Sequence, residues 1–251
     1  MLSKAQISLI NSLKNKKFRK EHNLFIVEGI KSVQEFLDST YLIQQLYMTE
    51  DASAKLGKIP QNIKSEQISS AEFAKITQLT NPQGVLALVK IPEENLQVLN
   101  ESTHEHVIVL DNIQDPGNLG TIIRTAEWFG IHTIICSSDT VDAYNPKVVQ
   151  ATMGSLARVQ IQYTEIDIFL QQYQGKKFGA LLNGKNIYET DFGNSGLIIL
   201  GNEGNGISES IQALLDEAVT IPRMGNAESL NVAVATTVFC SEIARQQLSK
   251  K

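Results

Sequence analysis

The feature that most constrains the fold is an alternation of apolar, strand-like runs and helical segments from Val107 onward. Some of these runs, such as Leu197 to Leu200, are apolar at every position rather than at every second one. Strands of that kind are typical of a parallel sheet that helices cover on both faces. The sequence therefore predicts an α/β fold with a parallel sheet in this part of the chain.

The elements of this part can be placed from apolar spacing and from the turn residues between them. The predicted strands are 106–111, 132–137, 159–164, 177–182, 196–202 and 218–223. The predicted helices are 119–129, 146–155, 165–174, 208–217 and a long one from about Asn231. Ligands of such sheets bind beyond the carboxyl ends of the strands, so we expect the site in the loops that follow strands.

The first part of the chain has a different pattern, which indicates a smaller α/β domain. Helical spacing marks 5–15 and 30–40, and short apolar runs at 23–29, 42–49 and 84–90 predict strands. The polar stretch 91–106 separates this pattern from the strand at Val107. We therefore expect two domains, residues 1–97 and residues 98–251.

Length and composition are those of an ordinary globular protein. The chain has 251 residues, of which 42% are hydrophobic and 20% are charged. No stretch approaches the roughly 18 uninterrupted apolar residues of a membrane span, and residues 1–20 lack the charged-then-apolar order of a signal peptide. We expect a cytoplasmic protein with no membrane partner.

Cysteine and histidine give little indication of metal or redox chemistry. Cys136 and Cys240 each lie inside an apolar run, which favours two small buried side chains over a disulfide or a reactive thiol. His104 and His106 could share one face of a strand, but no residue nearby in sequence completes a zinc ligand set. We expect no metal site.

Charge is unevenly distributed along the chain. The net charge of −5 argues against a purely electrostatic nucleic-acid binder. Residues 1–20 nevertheless contain no acidic residue and six basic ones, which are Lys4, Lys14, Lys16, Lys17, Arg19 and Lys20. This cluster is either the solvated end of an amphipathic helix or a patch that faces a polyanion.

Three loops that follow predicted strands contain candidate functional side chains. The loop after Leu110 is rich in turn residues and leads into a helix, for which Asn118 is a candidate N-cap and Gly130 a candidate stop. Arg124 lies one turn inside that helix. From this position its guanidinium could reach an anion at the edge of the sheet.

The second loop places a carboxylate, Glu203, among three glycines, which are Gly201, Gly204 and Gly206. Their spacing is G-x-x-G-x-G, which is not the dinucleotide-binding fingerprint. The third loop leads through Ser229, which alone would be interpreted as a helix cap, to a helix of small and β-branched residues after Asn231. Such a helix suits close packing within the subunit or across a dimer.

Together the three loops resemble the three motifs of the SpoU, or TrmH-like, family of RNA ribose 2'-O-methyltransferases, which belongs to the SPOUT class. The matching residues are Asp115-Pro116-x-Asn118-x-Gly120 with Arg124-Thr125-Ala126, then Leu200-Gly201-x-Glu203-Gly204-x-Gly206, then Ile221-Pro222, Gly225 and Ser229-Leu230-Asn231-Val232. The order and approximate spacing agree with the family over about 107–246. Residues 25–37 also resemble the start of the family's small N-terminal domain, which is similar to a ribosomal protein.

The resemblance implies a SPOUT-type α/β-knot, with a deep trefoil knot in the catalytic domain, after a small N-terminal α/β substrate-binding domain. It implies a homodimer with active sites at the subunit interface, and S-adenosyl-L-methionine as the cofactor. The residues expected to bind the cofactor are Leu200, Gly201, Gly206, Ile221, Pro222 and Leu230. Those expected to form the reacting site are Asn118, Arg124, Glu203, Ser229 and Asn231.

The expected reaction leaves the destination of the hydroxyl proton open. The family assigns activation of the ribose hydroxyl to the arginine matched by Arg124, yet a guanidinium is a poor base. A nearby Glu203 would favour the charged guanidinium, whereas the positive sulfonium of the cofactor would disfavour it. Two hypotheses remain: Arg124 accepts the proton transiently, or it binds the adjacent phosphate and the proton passes through that phosphate.

Two functions of other classes fit the sequence less well than the methyltransferase. A non-enzymatic RNA-binding protein would account for the basic N-terminus but not for the combination of Asn118, Arg124, Glu203 and Asn231. A nucleotide-dependent enzyme would account for the glycine-rich loop, but the chain has no G-x-x-x-x-G-K-[ST] loop. We expect RNA rather than DNA as the substrate, and the extra N-terminal domain favours ribosomal RNA over transfer RNA.

Overall fold

The computed structural model describes residues 1–93 and 105–249 and divides them into two compact units. The first unit is formed by Met1–Glu93 together with Asp142–Ala157. The second contains the described residues 105–141 and 158–249. The predicted domain boundary at 97 and 98 lies outside the described residues.

The first unit contains a four-stranded sheet, in the order β1-β4-β2-β3. Its strands are β1 (Leu24–Glu28), β2 (Ile43–Met48), β3 (Ser65–Gln67) and β4 (Val85–Lys90). β4 is antiparallel to β1 and β2, whereas β3 is parallel to β2. Its α-helices are Lys4–Ser12, Lys16–His22, Ile30–Leu37, Glu50–Ser53, Ser70–Phe73 and Pro146–Thr152. Alternate residues of the strands, such as Leu24, Ile26, Leu86 and Leu88, form its core with Ile10 and Leu13.

The segment 142–157 clusters with the first unit although the strand before it in sequence, Thr133–Ser137, belongs to the second unit. Its helix Pro146–Thr152 contacts β1, and the ring of Tyr144 lies 4.8 Å from that of Phe25. Gly154 has a positive φ of +97°, and a β-carbon at this position would lie 2.6 Å from the side chain of Glu35. Only glycine fits here without displacing that side chain.

Arg19 is a buried structural residue of this unit, so neither interpretation of the basic cluster, a solvated helix end or a polyanion-facing patch, holds at this position. Its side chain is 2% exposed. The guanidinium donates to Asp142 Oδ2 at 2.6 Å and to the backbone oxygens of Leu13 and Lys14 at 2.8 and 2.9 Å. Burial of the charge is therefore compensated by a carboxylate and two carbonyl groups.

The second unit contains a parallel six-stranded sheet, in the order β10-β8-β9-β5-β6-β7, and the predicted α/β fold is confirmed. Its strands are β5 (His106–Leu110), β6 (Thr133–Ser137), β7 (Gln160–Thr164), β8 (Lys177–Asn186), β9 (Gly196–Leu200) and β10 (Glu217–Thr220). Its α-helices are Pro116–Trp128, Ile166–Gln172, Glu209–Gln212 and Val232–Ser249. β5 and β9 are buried at every position, as their almost wholly apolar sequences predict. The implied trefoil knot stays a prediction.

The strand order places the candidate loops side by side. From β5 the chain adds β6 and β7 on one side, whereas β8, β9 and β10 lie on the other side. β5 and β9 are neighbours, and Leu110 pairs with Leu200 at their carboxyl ends. The loops after these two strands therefore leave the sheet together at a topological switch point, where ligands of α/β sheets bind.

Both cysteines are free and buried, as the sequence predicted. Burial raises the pKa of the Cys240 thiol to about 12 and raises the pKa of the Cys136 thiol as well. Both thiols therefore stay protonated at neutral pH and are poor nucleophiles. Within the described residues, no helix has the length and apolar character needed to cross a bilayer.

Candidate active site

The loop after β5 is closed by a helix cap that differs from the predicted one. Asp115, rather than Asn118, caps the helix Pro116–Trp128, because its carboxylate accepts from the Asn118 backbone N–H at 2.8 Å. Pro116 at the first helical position suits this start. Asn118 thus lies in the first turn, and its side chain is free to make other contacts. The helix stops as predicted at Gly130, whose φ is +74°.

The side chain of Asn118 joins the three loops. Its amide nitrogen donates a short hydrogen bond to Glu203 Oε1, on the loop after β9. Its amide oxygen accepts from Asn231 Nδ2 at 3.0 Å, on the loop before the last helix. Asn231 also caps that helix, since its side-chain oxygen accepts from the backbone N–H groups of Ala233 and Val234. Three of the five predicted reacting residues therefore form one hydrogen-bonded group.

The other two predicted reacting residues lie outside this group. Arg124 is exposed, six residues beyond Asn118 on the same helix. Among the described residues, Arg124 has no hydrogen-bond or ion-pair partner, and the expected proximity to Glu203 does not produce an ion pair. Ser229 is also exposed and makes no side-chain hydrogen bond within the described part of the chain. The guanidinium of Arg124 is therefore available to a group from outside the subunit.

The loop after β9 is held by Asn202, a residue that the sequence analysis did not select. Its side-chain nitrogen donates to the Asn112 backbone oxygen at 2.8 Å, and its side-chain oxygen accepts from the Gly204 N–H at 2.8 Å. Its backbone exchanges two hydrogen bonds with Gly206, at 3.1 and 2.8 Å. Its position between Gly201 and Glu203 was the one feature of the sequence that could have indicated this role. An asparagine in a glycine-rich loop, however, most often only stabilises a turn.

Gly201 is fixed by the same closure of the loop. A β-carbon on Gly201 would lie 2.1 Å from the backbone carbon of Gly206. That distance is far below any van der Waals contact, and the neighbouring atoms are backbone rather than a side chain that could move. The two chain segments of the loop can therefore pass each other only with glycine at this position.

Asp111, which is 8% exposed, connects the two loops behind the candidate site. Its backbone N–H donates to the Leu200 oxygen at 2.9 Å, and its carboxylate accepts from the Ser208 N–H at 2.8 Å. Ser208 occupies the N-cap position of the short helix Glu209–Gln212, but its own side chain makes no cap bond. Asp111 thus satisfies a backbone donor at the start of that helix.

A cavity of about 790 Å³ opens beside Glu203, between the ends of β8, β9 and β10 and the last two loops. All six residues predicted to bind the cofactor contribute to its wall, and so do Glu203 and Ser229; the six are Leu200, Gly201, Gly206, Ile221, Pro222 and Leu230. Asn118, Arg124 and Asn231 do not line it, although Asn118 is bonded to Glu203 at its edge. The volume lies within the range of about 300–1,000 Å³ typical of small-molecule sites.

The cavity wall is compatible with a nucleoside that carries a positive charge. Its apolar side chains include Val219, Val232 and Phe239, which suit a flat aromatic base. Its charged residues are two carboxylates, Glu203 and Glu228, and one guanidinium, Arg223. A sulfonium and an amino-acid group would therefore find both signs of charge in the same cavity.

The histidines make no metal centre within the described residues, where no group of three potential ligands is found. His106 is 3% exposed, with Nε2 3.1 Å from the Phe192 oxygen and Nδ1 3.3 Å from Gln247 Nε2. His104 lies outside the described residues. The ring of His106 is thus part of the structural packing of the second unit.

Comparison with known proteins gives matches over both parts of the chain. The SpoU rRNA Methylase family matches residues 105–241, and an MRM3-like substrate binding domain matches residues 4–87. A 23S rRNA (guanosine(2553)-2'-O)-methyltransferase, RlmP, of Bacillus subtilis (strain 168) is 32% identical, over 90% of this chain and 91% of its own length.

Two solved structures have the same fold over nearly the whole chain. A proposed RNA methyltransferase of the TrmH family from Porphyromonas gingivalis is 36% identical, with a TM-score of 0.90, and the match covers 98% of this chain and 99% of that one. An rRNA methyltransferase from Sinorhizobium meliloti with AdoMet bound is 30% identical, with a TM-score of 0.86, over 99% of this chain and 97% of that one.

Proposed function

The chain belongs to the SpoU rRNA methylase family, and on that basis we propose that it methylates the ribose 2'-hydroxyl of a nucleotide in ribosomal RNA. Its cofactor is S-adenosyl-L-methionine. The observation that carries the proposal is the hydrogen-bonded group of Asn118, Glu203 and Asn231 at the edge of a cavity that all six predicted cofactor residues line. We propose residues 1–97 as the RNA substrate-binding domain and residues 98–251 as the methyltransferase domain.

The cofactor, when bound, supplies a methyl group that its positive sulfur activates. Two tasks are left to the residues of this chain. The first task is to orient the ribose hydroxyl. The Asn118 amide is held at both ends, by Glu203 and Asn231, so its orientation is fixed before the substrate arrives. Such preorganisation lowers the barrier of a transfer reaction by several kcal/mol. Ser229, on the cavity wall, provides a further hydroxyl group that can hydrogen-bond to the substrate.

The second task is to remove the hydroxyl proton, and this is the role proposed for Arg124. Its exposed guanidinium has no partner within the described residues, so it can bind a phosphate or contact the hydroxyl without first losing an ion pair. The change Arg124→Lys tests both routes, because a lysine keeps the charge but loses the planar fork. Turnover near that of the wild type, with RNA binding intact, would contradict both.

A binding measurement tests the assignment of the cofactor. Isothermal titration with S-adenosyl-L-methionine is expected to give one site per chain, and Gly201→Val is expected to abolish it because a side chain would meet the Gly206 backbone. Saturable binding that Gly201→Val leaves unchanged would place the cofactor elsewhere. No binding by the wild-type chain would favour a non-enzymatic RNA-binding protein.

The preference for ribosomal over transfer RNA belongs to the proposal and is supported by relatives that extend over both domains. The Bacillus subtilis relative, which covers 90% of this chain, is named for 23S rRNA. Mass-spectrometric mapping of ribose methylation in RNA from a deletion strain tests the target directly. A methyl group that disappears from 16S or 23S rRNA supports the proposal, and a loss confined to tRNA contradicts it.

The homodimer and the cytoplasmic location also stay proposals. The helices Pro116–Trp128 and Val232–Ser249 pack against each other, with Thr125 Oγ1 3.3 Å from Thr237 Oγ1. Trp128 is 81% exposed and Val234 50% exposed on this helix pair. Exposed apolar side chains on a packed helix pair support a covering second subunit, which would bring further groups close to Arg124.

A further inference from the structure

We propose that four lysines of the first unit form a docking surface for the phosphate backbone of the RNA substrate. The lysine surface consists of Lys14, Lys16, Lys17 and Lys20, on and just before the helix Lys16–His22. The inference rests on the proposed RNA methyltransferase function and extends it, because it names the side chains that hold the RNA far along the sequence from the reacting site.

The charge of this segment differs from that of the rest of the chain. Acidic residues exceed basic ones overall, 27 to 22, yet residues 1–20 contain six basic residues and no acidic one. The four lysines are exposed. Lys16, Lys17 and Lys20 form no ion pair with another described residue, whereas Lys14 interacts electrostatically with Glu28. Glu21 is the single carboxylate of the helix and is likewise without an ion pair in the described chain. A polyanion is attracted to a positive surface on an otherwise acidic protein and is repelled by the rest of that protein.

Arg19 makes this surface rigid, which distinguishes it from a solvated tail. Its guanidinium is buried against Asp142 at 2.6 Å. It also donates to the backbone carbonyl groups of Leu13 and Lys14. The turn before the helix and the helix itself are therefore fixed through one side chain. The lysines project from this fixed helix, so binding RNA requires only their side chains to become ordered.

Two rings next to the lysines favour nucleic acid over an acidic protein as the partner. Phe18 and His22 are stacked, with centroids 6.5 Å apart and planes inclined by 16°. His22 is exposed and Phe18 is partly exposed, and Lys17 Nζ lies 5.9 Å from the centre of the Phe18 ring. Single-stranded RNA is bound by this combination of cationic side chains and ring faces on which bases stack.

The salt dependence of RNA binding tests the surface with a matched control. The full-length wild type, the triple variant K16Q/K17Q/K20Q and the control K31Q/K55Q/K58Q are titrated with in vitro transcribed 23S rRNA over a series of KCl concentrations. Lys31, Lys55 and Lys58 are exposed residues of the same unit, so both triple variants lose the same charge. The melting temperature checks that each variant is folded.

The surface variant is expected to bind RNA at least about tenfold more weakly at low salt and to lose about 2 to 3 from the slope of log Kd against log salt, because each phosphate contact contributes about 0.7 to 0.9. The control is expected to change the slope by less than about 1. Equal effects of both variants, or no effect of the surface variant, would overturn the inference. Poly-glutamate that displaces the RNA as well as unlabelled RNA does would overturn the assignment to nucleic acid.

The same preparations separate this inference from the proposed function. Wild-type protein that transfers no methyl group to RNA contradicts the function. Wild-type protein that transfers methyl groups, while the surface variant binds RNA with unchanged affinity and slope, contradicts the lysine surface alone.

Discussion

Asn118 is the side chain on which the reacting site depends, because it bonds to Glu203 and to Asn231 at the same time. We expect Asn118→Ala to lower kcat at least about a hundredfold, as the loss of a preorganised donor does in other enzymes. The affinity for S-adenosyl-L-methionine is expected to change little, because Asn118 does not line the cavity. Steady-state kinetics together with isothermal titration measure the two quantities.

The matched control for this variant is Gln114→Ala. Gln114 is exposed in the same loop, and within the described part of the chain its side chain donates only to Asn112 Oδ1, at 3.1 Å. We expect its kcat to stay within about twofold of the wild type, as for most surface substitutions. Equal losses in Asn118→Ala and Gln114→Ala would show that the loop, rather than the Asn118 amide, determines the rate.

Single residues show how far the sequence could predict the site. Residue types and motif order indicated Asn118, Glu203 and Asn231, and the structure brings these three together. The N-cap was assigned to Asn118 because asparagine and aspartate are almost equally good caps, and Asp115 lies three residues earlier. Arg19 could not be interpreted correctly from sequence, because its partner Asp142 is 123 residues away.

The loop after β9 (Gly196–Leu200) depends on Asn202, which makes five hydrogen bonds. Its side chain bonds to Asn112, Gly204 and Asn205, and its backbone bonds twice to Gly206. We expect Asn202→Ala to weaken S-adenosyl-L-methionine binding about tenfold, because each lost hydrogen bond contributes about 0.5–1.5 kcal/mol to the closed loop. Asn202→Asp keeps the acceptor for the Gly204 N–H but loses the donor to Asn112, so its affinity should be intermediate. Titration calorimetry of both variants would refute a positioning role if their affinities equalled that of the wild type.

The first unit has a carboxylate whose ionisation should appear in acid unfolding. Glu72 accepts from the backbone N–H groups of Ser69 and Leu2 and from the Ser69 hydroxyl, and these bonds lower its pKa from 4.5 to about 2. A pKa that is lower in the folded state stabilises the protein above the unfolded pKa, and this stability is lost as the pH falls through the folded pKa. Glu72 therefore contributes above about pH 4.5, and its contribution disappears towards about pH 2.

The comparison of Glu72→Gln with the wild type measures this contribution. Urea unfolding should give a lower free energy of unfolding for Glu72→Gln at pH 6, and the difference should shrink as the pH falls below 4.5. A difference that is constant from pH 6 to pH 3 would mean that the glutamine loses shape complementarity rather than charge.

The sequence predicts the positions of most strands and helices, but it does not predict to which of the two compact units each segment belongs. The parallel strands of the second unit stand out because both faces are buried, so their sequences are almost wholly apolar. β3 (Ser65–Gln67) was missed, since it is a three-residue edge strand of polar residues. The segment 142–157 was assigned to the second domain by its sequence position, and no local pattern indicates that it packs with the first unit.

For the protein as a whole, the proposed dimer makes a testable claim about Trp128, which is 81% exposed. We expect Trp128→Glu to convert a dimer into a monomer, because a charge would replace an apolar ring at the covered face. Ile168→Glu is the control, since Ile168 is 53% exposed on a different helix, Ile166–Gln172. Light scattering after gel filtration should give monomers for Trp128→Glu alone, and a wild-type monomer would contradict the proposal.

The chemical position of the transferred methyl group distinguishes ribose methylation from every other methyl transfer to RNA. Purified protein is incubated with radiolabelled S-adenosyl-L-methionine and unmodified rRNA, and the RNA is then digested to nucleosides and separated. We expect the label in a single 2'-O-methylnucleoside, and we expect no label when Arg124→Ala replaces the wild type. Label on a base, or undiminished transfer by Arg124→Ala, would contradict the proposed function.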